Sequence, residues 1–167
     1  MPRRFKQLSL VLLLLVVFFL LWPRVYLIAQ TDETVLFAWP IKARESFEVT
    51  FLHSLNLSPI TDIIEWTGKE LIVRKSIFKT FGAGVPIPAD GIGKELLHID
   101  DHYELIGIDK ELQNFTIMTQ EVPNHTIKLN GCEASLLELA GSGKLVHITV
   151  KRLSPVYYFW SINTVLR

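Results

Sequence analysis

The stretch Ser46-Phe-Glu-Val-Thr-Phe-Leu-His53 decides how this chain is read. Phe47, Val49 and Phe51 fall on one side of an extended backbone, Glu48 and Thr50 on the other. That two-residue period marks a strand with one buried face. Shorter runs of the same kind follow on both sides, at residues 34–39, 60–67, 70–74, 76–81, 103–108, 115–119, 126–129, 134–139 and 145–151. Turn formers separate them: Gly68-Lys69, Asn130-Gly131 and Gly141-Ser142-Gly143. Residues 157–165 read as a last aromatic strand or a short helix. Past residue 30 no long helical period occurs. The expectation is an all-β domain, a sandwich or partly closed barrel.

The first 30 residues are different. Residues 8–22 are apolar except for Ser9 and follow Arg3, Arg4 and Lys6. The run is interrupted by Pro23-Arg24 and resumes as Val25-Tyr-Leu-Ile-Ala29. A helix needs about 20 apolar residues to span a bilayer, so the segment reaches that length only if counted through to Ala29. Trp22, Arg24 and Tyr26 suit an outer interface. The run also fits the apolar core of a cleaved signal peptide. Bulky Leu27, three residues back from an Ala29 cleavage point, argues for an uncleaved signal anchor. Both readings keep the basic N-terminus in the cytoplasm and send the rest outward. The division expected is residues 1–30 as a single-pass transmembrane anchor in the cell membrane and 31–167 as an extracytoplasmic β domain.

The chain is formally neutral, but four of its 17 basic residues and none of its 17 acidic ones lie before residue 31. The remainder is therefore mildly acidic, which argues against a nucleic-acid partner. Cys132 is the only cysteine, so neither an intramolecular disulfide nor a cysteine-based zinc cage can form. It reads as a small buried hydrophobe.

Three segments carry polar groups worth weighing. In the first, His53 and Ser54 stand where the decisive strand ends, with Pro59 and Asp62 following. A Ser beside a His suggests a nucleophile. However, strand neighbours point to opposite faces, and no Gly-x-Ser-x-Gly elbow is present. In the second, Phe81-Gly82-Ala83-Gly84, the glycines permit positive φ and an anion-binding nest, without the Lys-Ser/Thr of a phosphate loop. In the third, His98, Asp100 and His102 alternate and would share one face of a strand, as weak zinc candidates. His125 and His147 stand alone and read as structural or exposed.

The first two segments together resemble an uncharacterised family, a domain of unknown function found in small exported prokaryotic proteins. The family is often encoded beside the membrane subunits of TAXI-type TRAP transporters. Its pattern is an alternating apolar strand ending in His-Ser, then Pro with an acid nearby, then aromatic-Gly-Ala-Gly. This chain departs in having Ser58 where Thr is expected before Pro59, and Asp62 where Glu is usual. The resemblance implies a neighbourhood, a TRAP-type uptake system, and no mechanism; taken with the anchor and the β domain it leads to the expectation of a non-enzymatic accessory protein, without a cofactor, docking on the transporter's membrane subunits. It implies that His53, Ser54, Pro59, Asp62, Phe81, Gly82, Ala83 and Gly84 form a surface for a partner or a small solute. The residues themselves leave open a small-ligand or anion binder, and a hydrolase built on Ser54/His53 or on a metal at His98/Asp100/His102.

Overall fold

The computed structural model describes residues 3–82, 85, 88, 91–112 and 115–156, with side chains from Gln7 onward. Helix α1 spans Arg3–Leu21. Pro23, which has no N–H to donate, follows its end. The apolar side chains of α1 from Leu8 to Leu21 are 39–69% exposed on every side of the helix. Among the described residues no helix is long and apolar enough to cross a membrane.

Eleven strands follow among the described residues: β1 Arg24–Gln30, β2 Val35–Pro40, β3 Glu45–Leu52, β4 Pro59–Trp66, β5 Leu71–Phe78, β6 Glu95–Ile99, β7 His102–Leu112, β8 Phe115–Met118, β9 Thr126–Leu129, β10 Cys132–Ser135 and β11 Leu145–Leu153. A short helix, α2 (Leu136–Ala140), is capped by the Ser135 hydroxyl, which accepts from Glu138 N. The strands form two antiparallel sheets, β2-β1-β11-β8 and β10-β9-β3-β4-β5-β7-β6. The architecture is a sandwich. Phe47, Val49, Ile64 and Ile127 of the large sheet meet Leu27, Ala29, Val146 and Ile148 of the small one in the main core.

Several local expectations are corrected. Residues 25–29, read as the tail of the anchor, belong to β1, at the centre of the small sheet. This strand is buried on both faces, with Leu27 and Ala29 in the main core and Tyr26 and Ile28 against Ala38. Burial on both faces removes the alternation, so the run looks like more helix. Residues 70–74 and 76–81, read as two runs, contribute to one strand, β5. Arg74 is left out of register against β4, and the inward positions change from Leu71 and Val73 to Ser76 and Phe78. Residues 134–139 are the end of β10 and most of α2. Cys132 is exposed, facing Leu129 across the Asn130-Gly131 turn. The expectation for 157–165 falls outside the described residues.

Candidate functional site

Four connections lie at one end of the large sheet. They are the β3–β4 loop, the start of the segment after β5, the β6–β7 turn and the residues before β9. Helix α1 joins at the opposite end, where Arg24 and Val25 line a cleft together with Glu45, Trp66 and Leu129. The motif residues therefore sit about 26 Å from the helix junction, the length of an eight-residue strand.

His53 and Ser54 lie in the β3–β4 loop, beyond the end of the strand. The loop is closed by two bonds, His53 N donating to Ser58 O (2.9 Å) and Leu57 N donating to His53 O (2.9 Å). Nδ1 of His53 accepts a long bond from Leu55 N (3.4 Å). No hydrogen bond joins the His53 and Ser54 side chains, and Ser54 is exposed. Within the loop, Ser58 Oγ donates to Asn56 Oδ1 (2.9 Å). With that proton spent, the 2.8 Å contact to Thr80 Oγ1 requires Thr80 to donate to Ser58. A hydroxyl chain, Thr80 to Ser58 to Asn56, thus ties the two motif segments together.

Gly82 brings the second segment close to the first. A Cβ there would lie 3.0 Å from Asn56 Nδ2 and 3.8 Å from His53 Cε1. Its role is close approach; the positive-φ glycines among the described residues do not include it. Phe81 packs near Tyr103 (ring centroids 4.5 Å) and Phe78 (5.4 Å). Ala83 and Gly84 lie outside the described residues. Pro59 is exposed and opens β4.

Asp62 is placed differently. It faces inward on β4, in a row running Ile127, Val49, Asp62, Ser76, Leu105 and Leu96 across the large sheet. Burial raises its pKa. The Ser76 hydroxyl opposite eases that shift but makes no well-formed hydrogen bond. The row joins two cores: Val49 and Ile127 belong to the one shared with the small sheet, whereas Leu105 packs with Ile60, Phe78 and Val85 in a second core built by the large sheet and one loop residue.

One residue read as isolated belongs to this end. His125 stacks on Phe51 (ring centroids 5.3 Å), and burial lowers its pKa. Its Nδ1, Asn56 Nδ2 and Ser76 Oγ are buried polar atoms without a hydrogen-bond partner among the described residues. The only sequence clue was its position, two residues before Ile127 in the inward phase of β9. His147 instead pairs with Thr116 (2.9 Å) and Asp32 (3.3 Å).

The third segment does not assemble as expected. His98 lies one residue before the end of β6, Asp100 turns with φ 51° and His102 begins β7, so a hairpin replaces a single strand face. His98 stacks on Tyr103 (4.6 Å), and His102 lies near Asp101 and Glu104. Among the described residues no three His, Cys, Asp or Glu side chains are grouped to hold a metal.

These features define a two-sheet antiparallel β sandwich whose strand-end motifs are joined by a hydroxyl chain and a glycine contact. The family profile described as "Domain of unknown function (DUF1850)" matches residues 47–136, more than half of the chain, and takes in both motifs. The protein belongs to that family. No curated protein and no solved structure matches the chain.

Proposed function

We propose that this protein is a non-enzymatic, extracytoplasmic accessory module of a TRAP-type solute uptake system, tethered to the cell membrane by α1 with its N-terminus in the cytoplasm. The observation that carries this reading is the meeting of the two motif segments at the end of the sandwich away from α1. That end also exposes large apolar side chains, with Leu55 at 73%, Leu57 at 62% and Phe81 at 47%. Exposed apolar groups on well-hydrogen-bonded loops suit docking to a protein partner. The tether is supported by the apolar surface that α1 presents on all sides, with Leu8 to Leu21 left largely exposed. The test is to purify the full-length tagged protein from gently solubilised membranes and identify what accompanies it. A carrier subunit in near-stoichiometric amount, lost in a Leu55→Asp/Leu57→Asp variant of unchanged melting point, is the expected result. A protein that emerges alone rejects the accessory role.

A second reading is a small-solute binder at the same end. Asn56 Nδ2, Ser76 Oγ and His125 Nδ1 favour it, because buried polar atoms without partners are costly unless a ligand or water satisfies them. A ligand specific for the folded state would raise the melting point across a solute screen. A hydrolase on Ser54 has less support, since His53 is not bonded to it.

A further inference from the structure

A cleft lies at the other end, beside the junction with α1, and the motifs take no part in it. It encloses about 760 Å³, within the range of small-molecule sites. Trp39, Trp66, Ile41 and Leu129 give it apolar walls, which include two of the chain's four tryptophans. Arg24, Lys42 and Arg152 also line it. None of these three cations is in an ion pair with a carboxylate among the described residues. The one acid in the lining, Glu45, accepts from Asn130 Nδ2 (2.9 Å) and Lys42 N (2.8 Å); those bonds, with a smaller contribution from the Lys42 charge, lower its pKa and keep it ionised. The cleft thus has a net positive charge around an apolar interior, which is complementary to an amphiphilic anion.

Its position selects the source of that anion. Arg24 follows the end of α1 by three residues, and its guanidinium lies over the Phe19 ring at 4.4 Å. If α1 sits in a bilayer, the cleft opens at the level of the headgroups, where tryptophan and arginine are at home. We infer that the cleft holds an anionic phospholipid of that bilayer, its phosphate between Lys42 and Arg152 and the upper part of an acyl chain against Trp39 and Trp66. This rests on the reading of α1 as a tether, and the occupant couples the sandwich to the membrane surface at a fixed end.

Two separate measurements on the full-length chain test this. Flotation with neutral phosphatidylcholine vesicles reports the tether alone; a chain that stays at the bottom rejects the tether reading. Titration of the detergent-solubilised protein with phosphatidylglycerol or phosphatidylcholine, followed by native mass spectrometry, reports the cleft. The expected result is one phosphatidylglycerol retained in preference to phosphatidylcholine. Lys42→Ala/Arg152→Ala, at two exposed side chains and with an unchanged melting point as the check on folding, should weaken that binding about thirtyfold. The surface control Lys128→Ala should leave it unchanged. Equal retention of both lipids, an unaffected double variant, or a cleft that takes free oleate but not phosphatidylglycerol would each overturn the inference.

Discussion

Asp62 and Ser76 face each other across β4 and β5, the two polar members of an otherwise apolar row through the middle of the large sheet. A carboxylate in that setting opposes folding when ionised. Its folded-state pKa is raised, so the native state binds the proton more tightly than the unfolded chain does. Its contribution to stability is therefore full below the ordinary aspartate range and is lost as pH rises through the folded pKa. Asp62→Asn should raise the melting point by roughly 2–6 °C at neutral pH, with the gain vanishing toward pH 4 and below. Thermal melts of the two proteins at several pH values check this. If the stabilised variant also fails to capture its partner, the ionised carboxylate serves function at the expense of stability.

His125 should titrate in the opposite sense. Burial depresses its pKa, so its contribution is present above the ordinary histidine range, near pH 6.5, and is lost as pH falls through the folded pKa. His125→Phe keeps a ring against Phe51 and removes the titration. The variant should lose the acid-side decline in stability that begins below about pH 6.5. Because the Asp62 slope runs the other way, the two single variants should tilt the pH–stability curve in opposite directions. Parallel curves for wild type and His125→Phe would show that the histidine is not buried as described.

Gly82→Ala should reveal the contact between the two motif segments. The added Cβ would press on Asn56 Nδ2 at 3.0 Å, and Asn56 is held in place through Ser58. A loss of about 1 kcal/mol is expected for alanine and more for valine. In a double-mutant cycle, Asn56→Ala should relieve most of the Gly82→Ala penalty, with a coupling of at least about 0.5 kcal/mol. Strict additivity in urea melts would mean that the segments do not meet through these atoms.

The parts of the fold that the sequence discloses are those where burial is one-sided. The alternation of Phe47, Val49 and Phe51 marks β3 because its outer neighbours, Glu48 and Thr50, are polar. Val25-Tyr-Leu-Ile-Ala29 has no such contrast, since both faces of β1 are covered, and it merges with the apolar run before it. The change of phase at Arg74 breaks β5 into two apparent runs, and only the pairing partners on β4 and β7 reveal one strand. The motif end was legible as His53, Ser54 and Gly82 because strand ends and glycines stand out in a sequence. The roles of Asn56, Ser58 and His125 depend on which strands become neighbours, and no local pattern carries that information.

The placement of β1 fixes where a soluble form of the domain must begin. A chain starting at Gln30 or beyond lacks the strand that lies between β2 and β11. It loses Tyr26, Leu27, Ile28 and Ala29, each at most 5% exposed. At about 1.5–3 kcal/mol for a fully buried large apolar side chain, the deficit is comparable to the whole stability of a small domain. The 31–167 fragment should therefore be unfolded or aggregated, while the 23–167 fragment, which keeps β1 and omits α1, should fold. Circular dichroism and amide-proton dispersion of the two fragments make the comparison. A cooperative melt from the shorter fragment would mean that β11 can pair with β2 directly, and that β1 is not needed to close the small sheet.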